Sequence, residues 1–175
     1  DQLGIPYDVV EPDYVEEDPP EADAVALVRE HAQGKARSVA ARAGDRPVLG
    51  VDTAVSLGGK IFGKPANAEE AERMLAELAG ETHVVVSGLC LITPGWEVVE
   101  HDSTRVTFRE LTPRELGQHM AYGEWEGRAG GYAIQGRGAG LVEEIEGDYL
   151  NVVGLPAGLL VRILAERLPG AYGFG

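Results

Sequence analysis

Two charged residues of opposite sign stand at the ends of two neighbouring apolar segments. Asp52 follows the apolar residues 48–51, and Lys64 follows residues 60–62 within Gly63-Lys64-Pro65. A carboxylate can bind a metal ion or a water molecule while an ammonium group binds phosphate, so the pair suits chemistry on a metal-bound polyphosphate. The plainer alternatives are that Asp52 caps the following turn and that Lys64 is a solvated turn residue.

The segment before Lys64 matches the first part of a nucleotide-binding P-loop, but the match is incomplete. Gly58, Gly63 and Lys64 have the required spacing, whereas Pro65 occupies the position where a serine or threonine would hold magnesium. Gly58-Gly59 is also typical of a hairpin turn. We therefore reject a P-loop and keep a single phosphate-contacting lysine as the hypothesis.

Other candidate residues lie in an acidic segment and in a glycine-rich segment. Glu16 or Glu17 could reach a metal ion if residues 11–21 fold over a cleft, although most acidic runs are only solvated. The amide of Gln135 offers both a donor and an acceptor, which suits the edge of a nucleobase. Taken alone, Gln135 is better explained as a polar residue at the end of a strand.

The elements that must position these residues alternate between strands and helices. The first helix, opened by Pro19-Pro20, extends to Gly44 and carries Lys35 off its apolar stripe; others are predicted at residues 67–80, 112–122 and 156–168. Strands are predicted at residues 7–10, 48–51, 54–57, 60–62, 83–86, 89–92, 98–101, 104–108 and 141–145. This order predicts one α/β domain with a mixed sheet over residues 1–175.

Composition limits the possible functions. The 175 residues fit one domain, no apolar stretch has the length of a membrane span, and the single cysteine, Cys90, excludes an internal disulfide. We infer a cytoplasmic protein. The formal net charge of −14 argues against a nucleic-acid polymer or an anionic membrane as partner. It still allows a phosphate-bearing small molecule that brings its own metal ion.

Several segments together resemble the Maf family of nucleoside triphosphate pyrophosphatases. In chain order they are Gly34-Lys35-Ala36, Leu49-Gly50-Val51-Asp52-Thr53, Gly63-Lys64-Pro65, Met74-Leu75, Leu78-Ala79-Gly80, His83, Ala129-Gly130-Gly131-Tyr132-Ala133-Ile134-Gln135-Gly136, Ile145-Glu146-Gly147-Asp148-Tyr149 and Val152-Val153-Gly154-Leu155-Pro156. The resemblance covers essentially the whole chain. It implies a two-lobed α/β fold of the inosine-triphosphate-pyrophosphatase type, in which helices flank a mixed sheet and a deep cleft separates the lobes.

The same resemblance implies an activity and roles for individual residues. The implied reaction is hydrolysis of a nucleoside triphosphate to the monophosphate and diphosphate, with Mg²⁺ or Mn²⁺ as cofactor. Asp52 would act on the attacking water and bind the metal with Glu16, for which Glu17 is the fallback because the acidic segment aligns loosely. Lys35 and Lys64 would contact the phosphates.

Two segments resemble the branch of the family that prefers dTTP and UTP and has a house-cleaning role. These are Asp52-Thr53 and Tyr132-Ala133-Ile134-Gln135-Gly136, so Thr53 and Gln135 would contact the base and set specificity. Two other functions stay open at this point: a pyrophosphatase for non-canonical purine triphosphates, and a nucleotide-binding regulator of cell division or septum formation with little turnover. A homodimer is expected by family analogy.

The start of the sequence departs from the family pattern. The family begins with a strand and a Ser-x-Ser-Pro-Arg-Arg loop, whereas Asp1-Gln2-Leu3-Gly4-Ile5-Pro6 resembles the end of the helix after that loop. We therefore expect the sequence to be N-terminally incomplete, without that strand and loop. Since the loop would bring a serine and two arginines to the phosphates, the chain as given could fold and yet have impaired activity.

Overall fold

The computed structural model describes residues 3–17 and 22–174. Its helices and strands, in chain order, are α1 (Ala24–Ala43), β1 (Val48–Leu57), β2 (Lys60–Phe62), α2 (Ala68–Leu78), β3 (Thr82–Thr93), β4 (Trp96–Phe108), α3 (Pro113–Ala121), β5 (Val142–Glu146), α4 (Tyr149–Val153) and α5 (Ala157–Arg167). Short 3₁₀ turns occur at Ala129–Gly131, Arg137–Leu141 and Ala171–Gly173. In this part of the chain, no helix combines the length and the apolar character that crossing a membrane requires.

A five-stranded sheet in the order β2-β1-β3-β4-β5 forms the centre of the fold. All four pairings between the described strands are antiparallel, so the mixed sheet predicted from the sequence is wrong for this part of the chain. For the β1–β2 and β3–β4 pairings the physical reason lies in the connections, since parallel neighbours need a long crossover. Gly58-Gly59 and Gly95, all with positive φ, instead join their strands through tight turns.

Several element boundaries differ from the sequence predictions. The two strands predicted at residues 83–86 and 89–92 form one strand, β3, and the pair at residues 98–101 and 104–108 forms β4. The strand predicted at residues 7–10 is wrong, because this segment pairs with no described strand and leaves Val9 83% exposed. The predicted helix opening at Pro19-Pro20 lies outside the described residues, and α1 is capped by Asp23.

Local signals at other boundaries are confirmed. The Asn67 side chain accepts a hydrogen bond from the Glu70 backbone at the start of α2, and Thr112 and Glu115 form a reciprocal capping box at α3. The hairpin of β1 and β2 pairs Leu57 with Lys60 around its two-glycine turn. These signals need only neighbouring residues, which is why the sequence contained them.

Helix α1 lies very close to one face of the sheet. A Cβ atom on Gly50 would lie 2.3 Å from the carbonyl oxygen of Ala32, and one on Gly88 would lie 2.2 Å from that of Val28. Only glycine permits such an approach of helix backbone to strand backbone. The approach brings α1 over the middle of β1, where Asp52 lies.

The opposite face of the sheet carries two separate apolar clusters. One packs α2 and α3 against the sheet around Phe62, Leu75, Val85, Phe108 and Leu116, and the other packs α5 around Leu89, Leu91, Leu159, Leu160 and Ile163. On β3 the two clusters are separated by Ser87, a fully buried polar residue that contacts α4. Helices on both faces and these two separate clusters confirm the predicted two-lobed α/β fold.

Candidate functional site

A lysine between two carboxylates forms the centre of the candidate site. The Nζ atom of Lys35 lies 2.5 Å from Asp52 Oδ1 and 2.7 Å from Glu16 Oε1. The Lys35 and Asp52 side chains are only 17% and 12% exposed, whereas Glu16 is 35% exposed. The structure therefore brings together three sequence-predicted residues from three different segments of the chain.

The fourth charged candidate, Lys64, lies at the more exposed side of this cluster. Its Nζ atom is 3.9 Å from Glu16 Oε2, and its side chain is 61% exposed. Glu17, the fallback for Glu16, is exposed and forms no ion pair with the described residues. Of the two glutamates, Glu16 is thus the one that joins the cluster.

The fold positions the Glu16 side chain through Tyr14. The Tyr14 hydroxyl is 3.0 Å from His31 Nδ1, and the Tyr14 ring lies over Gly34 of α1. A Cβ atom on Gly34 would lie 2.2 Å from the nearest ring atom. The glycine before Lys35 therefore provides the flat surface against which the acidic segment docks, and this docking brings Glu16 to Lys35.

The charges of the cluster stabilise one another. Burial lowers the pKa of Lys35, but hydrogen bonds to Asp52 and Glu16 outweigh burial and raise that pKa above its usual value. The hydrogen bond from Lys35 lowers the pKa of Glu16, in spite of its partial burial. At neutral pH Lys35 is a cation and Glu16 an anion, so the cluster can offer both charge types to a ligand.

A cavity of about 250 Å³ connects this cluster to the other candidate residues. Asp52 and Thr53 point to opposite faces of β1, as successive strand residues do, yet both line the cavity. This is possible because β2 pairs only with residues 55–57, so the outer edge of β1 at residues 51–53 is not covered by a strand of the described part. The other lining residues are Lys35, Val51, Val55, Lys64, Val85, Gly127, Arg128, Ala129, Tyr132, Ala133, Gln135, Val152, Val153 and Gly154.

The glycine-rich segment forms the wall that carries Gln135. Gly130 and Gly131 adopt positive φ values of 68° and 75°, and the Gly130 amide donates to the carbonyl of Gly63, next to Lys64. Tyr132 anchors the segment, because its hydroxyl lies 2.8 Å from Nε2 of the buried His83. Gln135 itself is exposed and lines the cavity.

Sequence reasoning missed several residues of the site. Arg128 lines the cavity directly before the glycine-rich segment, and its position beside that segment was the available signal. Ser87 and Asn151 lie behind Thr53 and are fully buried. The residues next to Ser87 and Asn151 in the sequence do not indicate that they lie behind Thr53, since Ser87 meets Thr53 only through the pairing of β1 with β3.

Few described side chains near the cavity could act as ligands of a metal ion. No group of three or more His, Cys, Asp or Glu side chains suited to hold a metal ion occurs within residues 3–17 and 22–174. Glu16 and Asp52 are the two carboxylates that meet at the cavity cluster. Two carboxylates fit an ion such as Mg²⁺, which binds one or two protein carboxylates and completes its shell with water and substrate phosphates.

Comparison with known proteins assigns the family. A family model described as Maf-like protein matches residues 1–167. The chain belongs to the Maf family. This Maf chain is 45% identical over 169 residues to a dTTP/UTP pyrophosphatase of Nitratidesulfovibrio vulgaris, a match that covers 95% of this chain and 80% of the relative.

Two further Maf relatives carry the same name. The dTTP/UTP pyrophosphatase of Deinococcus radiodurans is 43% identical over 171 residues, which are 98% of this chain and 87% of the relative. That of Moorella thermoacetica is 46% identical over 171 residues, or 94% of this chain and 86% of the relative. The family-model match over residues 1–167 contains the Lys35–Asp52 pair and the residues that line the cavity.

Proposed function

We propose that this chain is a nucleoside triphosphate pyrophosphatase that hydrolyses dTTP and UTP to the monophosphate and diphosphate. The observation that carries the proposal is the cavity in which the Lys35–Asp52 pair meets Thr53 and Gln135. The cavity is lined by the cations Lys35 and Lys64 and the Asp52 carboxylate, and also by apolar and hydrogen-bonding groups suited to a base. The relatives named dTTP/UTP pyrophosphatase support the substrate class.

We infer the following roles for the charged residues. Lys35 and Lys64 bind phosphate oxygens and neutralise the charge that develops on them during the reaction. Asp52 accepts a proton from the water that attacks the α-phosphorus, so a new P–O bond forms as the bond to the β-phosphate oxygen breaks. The bond electrons leave with the diphosphate. Lys35 is well placed for this chemistry because it contacts Asp52 directly.

The divalent cation of the proposal, Mg²⁺ or Mn²⁺, would be held by Glu16 and Asp52. When bound, it supplies charge neutralisation for the phosphate oxygens. Lys35 contacts both carboxylates. Its hydrogen bonds to them raise the pKa of Lys35. This chain's own contribution is therefore two carboxylates held at one cation, Lys35.

The cavity is also suited to a pyrimidine base. Val55, Val85 and Val153 line it with apolar side chains, against which the faces of a base can pack. Thr53 and Gln135 supply the hydrogen-bonding groups for the base edge. We propose that these two residues set the substrate preference.

The broader expectations from the sequence belong to the same proposal. We infer that residues 1–175 act as one domain, that the protein works in the cytoplasm, and that it forms a homodimer. The formal net charge of −14 supports a small phosphate-bearing substrate over a nucleic-acid polymer as partner. Size-exclusion chromatography with light scattering measures the dimer directly.

The experiment that tests the function is diphosphate release from a panel of nucleotides. The purified chain is incubated with dTTP, UTP, CTP, GTP and methylated GTP, with Mg²⁺, Mn²⁺ or a chelator. Turnover of dTTP and UTP that requires the metal supports the proposal. Turnover of purine triphosphates alone would favour a purine pyrophosphatase, and nucleotide binding without turnover would favour a regulator.

A further inference from the structure

Two hydroxyl groups meet behind the proposed base pocket. Thr53 on β1 and Ser87 on β3 are directly paired in the sheet, and their oxygen atoms lie 2.8 Å apart. Thr53 lines the cavity, while Ser87 is fully buried. The Ser87 oxygen also lies 3.2 Å from the backbone carbonyl oxygen of Asn151. A chain of hydrogen bonds therefore leads from the cavity into the protein.

Which hydroxyl donates and which accepts follows from counting protons, since each hydroxyl has one. In the first arrangement Ser87 donates to the Asn151 carbonyl over 3.2 Å, and Thr53 donates to Ser87 over 2.8 Å. In the second, Ser87 donates to Thr53, and the acceptor left for the Thr53 proton within the described protein is the Gly154 carbonyl at 3.5 Å. Both arrangements contain the 2.8 Å bond and differ in the other one. Hydroxyl bonds normally span about 2.5–3.0 Å, and 3.2 Å is closer to that span than 3.5 Å, which favours the first arrangement.

The acceptor at the buried end of these hydrogen bonds, the Asn151 backbone carbonyl, is held in place. The Asn151 side-chain amide donates to the carbonyl of Val85 and to the Thr104 hydroxyl, both at 3.0 Å. Asn151 is fully buried on α4, so its carbonyl cannot turn away to water. A carbonyl can only accept, which makes it a fixed anchor for the Ser87 proton.

We propose that Ser87 is a positioning residue that keeps the Thr53 proton directed into the protein, so that Thr53 presents only an acceptor to the nucleobase. This inference rests on the proposed pyrophosphatase function. An acceptor-only group selects bases with an N–H at the contacted position. Thymine and uracil both carry an N–H between their two carbonyl groups, whereas cytosine carries a bare acceptor nitrogen there. The hydroxyl chain would thus favour UTP and dTTP over CTP.

Gln135 does not provide this selection by itself. Its amide has a donor end and an acceptor end, and a rotation of the exposed side chain exchanges them. It can therefore match uracil in one orientation and cytosine in the other. Thr53 differs because its proton is committed to Ser87. Discrimination between uracil and cytosine is assigned to the Thr53–Ser87 pair, and the general preference for a pyrimidine to Gln135.

The test compares UTP with CTP in the Ser87→Ala variant. Without the Ser87 oxygen, the Thr53 hydroxyl can turn and donate to cytosine, so the ratio of kcat/KM for UTP over CTP is expected to fall about ten-fold. Thr82→Val is the matched control, because Thr82 forms a similar hydroxyl pair with Thr107, at 2.9 Å, on β3 and β4 away from the cavity. The control is expected to keep the wild-type ratio.

A double-mutant cycle separates a specific effect from a general structural one. Thr53→Val removes the hydroxyl that contacts the base, so adding Ser87→Ala in that background is expected to leave the ratio unchanged. An equal fall of the ratio in both backgrounds would overturn the proposal. So would a Ser87→Ala ratio within about two-fold of the wild type, a change smaller than the loss of one hydrogen bond.

Binding measurements keep the inference testable if the enzyme is slow or if a variant loses turnover. The dissociation constants of non-hydrolysable UTP and CTP analogues are measured for the wild type, Ser87→Ala and Thr53→Val by calorimetry. A wild type that binds UTP better but hydrolyses neither nucleotide refutes the proposed function. The inference is then decided by the ratio of the UTP and CTP dissociation constants in the variants. A wild type that hydrolyses UTP and CTP equally well refutes the inference and leaves the proposed function standing.

Discussion

At the scale of single residues, the site depends on one shared lysine. Lys35 contacts both Glu16 and Asp52, and its raised pKa keeps it charged while it does so. A buried cation with two anionic partners is stable only as a set, since removal of one partner leaves charge uncompensated. The residue-scale predictions therefore concern what each side chain does for the ligand.

The first residue-scale prediction concerns Asp52→Asn. The amide cannot accept the proton of the attacking water, so kcat with UTP is expected to fall about 10²–10⁴-fold. Nucleotide binding should persist, because Lys35 and Lys64 still offer their charges to the phosphates. Diphosphate release measures the first effect and calorimetry with a non-hydrolysable analogue measures the second. Asp45→Asn, at an exposed position, is the control, and near-normal turnover in Asp52→Asn would remove Asp52 from its role.

The second prediction concerns Gln135→Ala. The amide is proposed to contact the base and not the phosphates, so the preference for pyrimidine over purine triphosphates should weaken more than kcat does. The measurement is kcat/KM for UTP and GTP, with Gln118→Ala on the exposed side of α3 as control. A substrate profile equal to that of the wild type would contradict the proposed contact.

At the scale of elements, glycines decide how closely segments approach. Gly50 and Gly88 let α1 lie against the sheet, and Gly34 lets the Tyr14 ring lie against α1. The first two contacts place Lys35 of α1 beside Asp52, and the third places Glu16 beside Lys35. Backbone packing between elements therefore determines where the charged residues of the candidate site lie.

Gly34→Ala tests this link. The new Cβ atom would lie 2.2 Å from the Tyr14 ring, so the ring must move and carry Glu16 away from Lys35. We expect a higher KM for metal–nucleotide and little net change in thermal stability, because the gain of about 1 kcal/mol from alanine over glycine in a helix opposes the loss of the Tyr14–His31 and Lys35–Glu16 contacts. Enzyme kinetics and a thermal melt measure the two effects.

The control for this variant is Gly117→Ala on α3, another helical glycine. Nothing lies within 4 Å of the Cβ atom that it would gain. It is expected to keep the wild-type KM and to share the helix stabilisation. An unchanged KM in Gly34→Ala would mean that Tyr14 does not position Glu16.

At the scale of the whole molecule, a buried histidine couples stability to pH. His83 is fully buried between Tyr132 and Phe108, and burial lowers its pKa to about 4. In the unfolded chain a histidine titrates near pH 6.5. Between these two values the unfolded state binds a proton that the folded state does not, so folding stability decreases as pH falls.

The corresponding prediction is that His83→Gln flattens the acid side of the stability profile. From pH 6.5 down to about pH 4, the wild type should lose about 1.4 kcal/mol per pH unit more than the variant. Chemical denaturation at several pH values measures the slope. His101→Gln, on the exposed part of β4, is expected to keep the wild-type slope, and an equal slope in His83→Gln would refute the assignment.

Much of the local structure could be predicted from the sequence. The caps at Asn67 and Thr112 and the Gly58-Gly59 turn depend on residues within a few positions of one another, so their chemistry is visible in the chain. The order of the Maf segments likewise identified the family. Within residues 3–17 and 22–174, the predictions of a mixed sheet and of a strand at residues 7–10 were wrong, because pairing partners and a buried face are properties of the folded molecule.

The sequence by itself determined which residue types were available: the acid at Asp52, the lysines, and an amide at Gln135. Only the tertiary structure decided which of them meet. Lys35 reaches Asp52 because Gly50 and Gly88 admit α1, and Glu16 joins them through Tyr14. Thr53 meets Ser87 across 34 residues because β1 and β3 pair in one register. Such contacts depend on close packing between distant segments, which no local pattern of residues records.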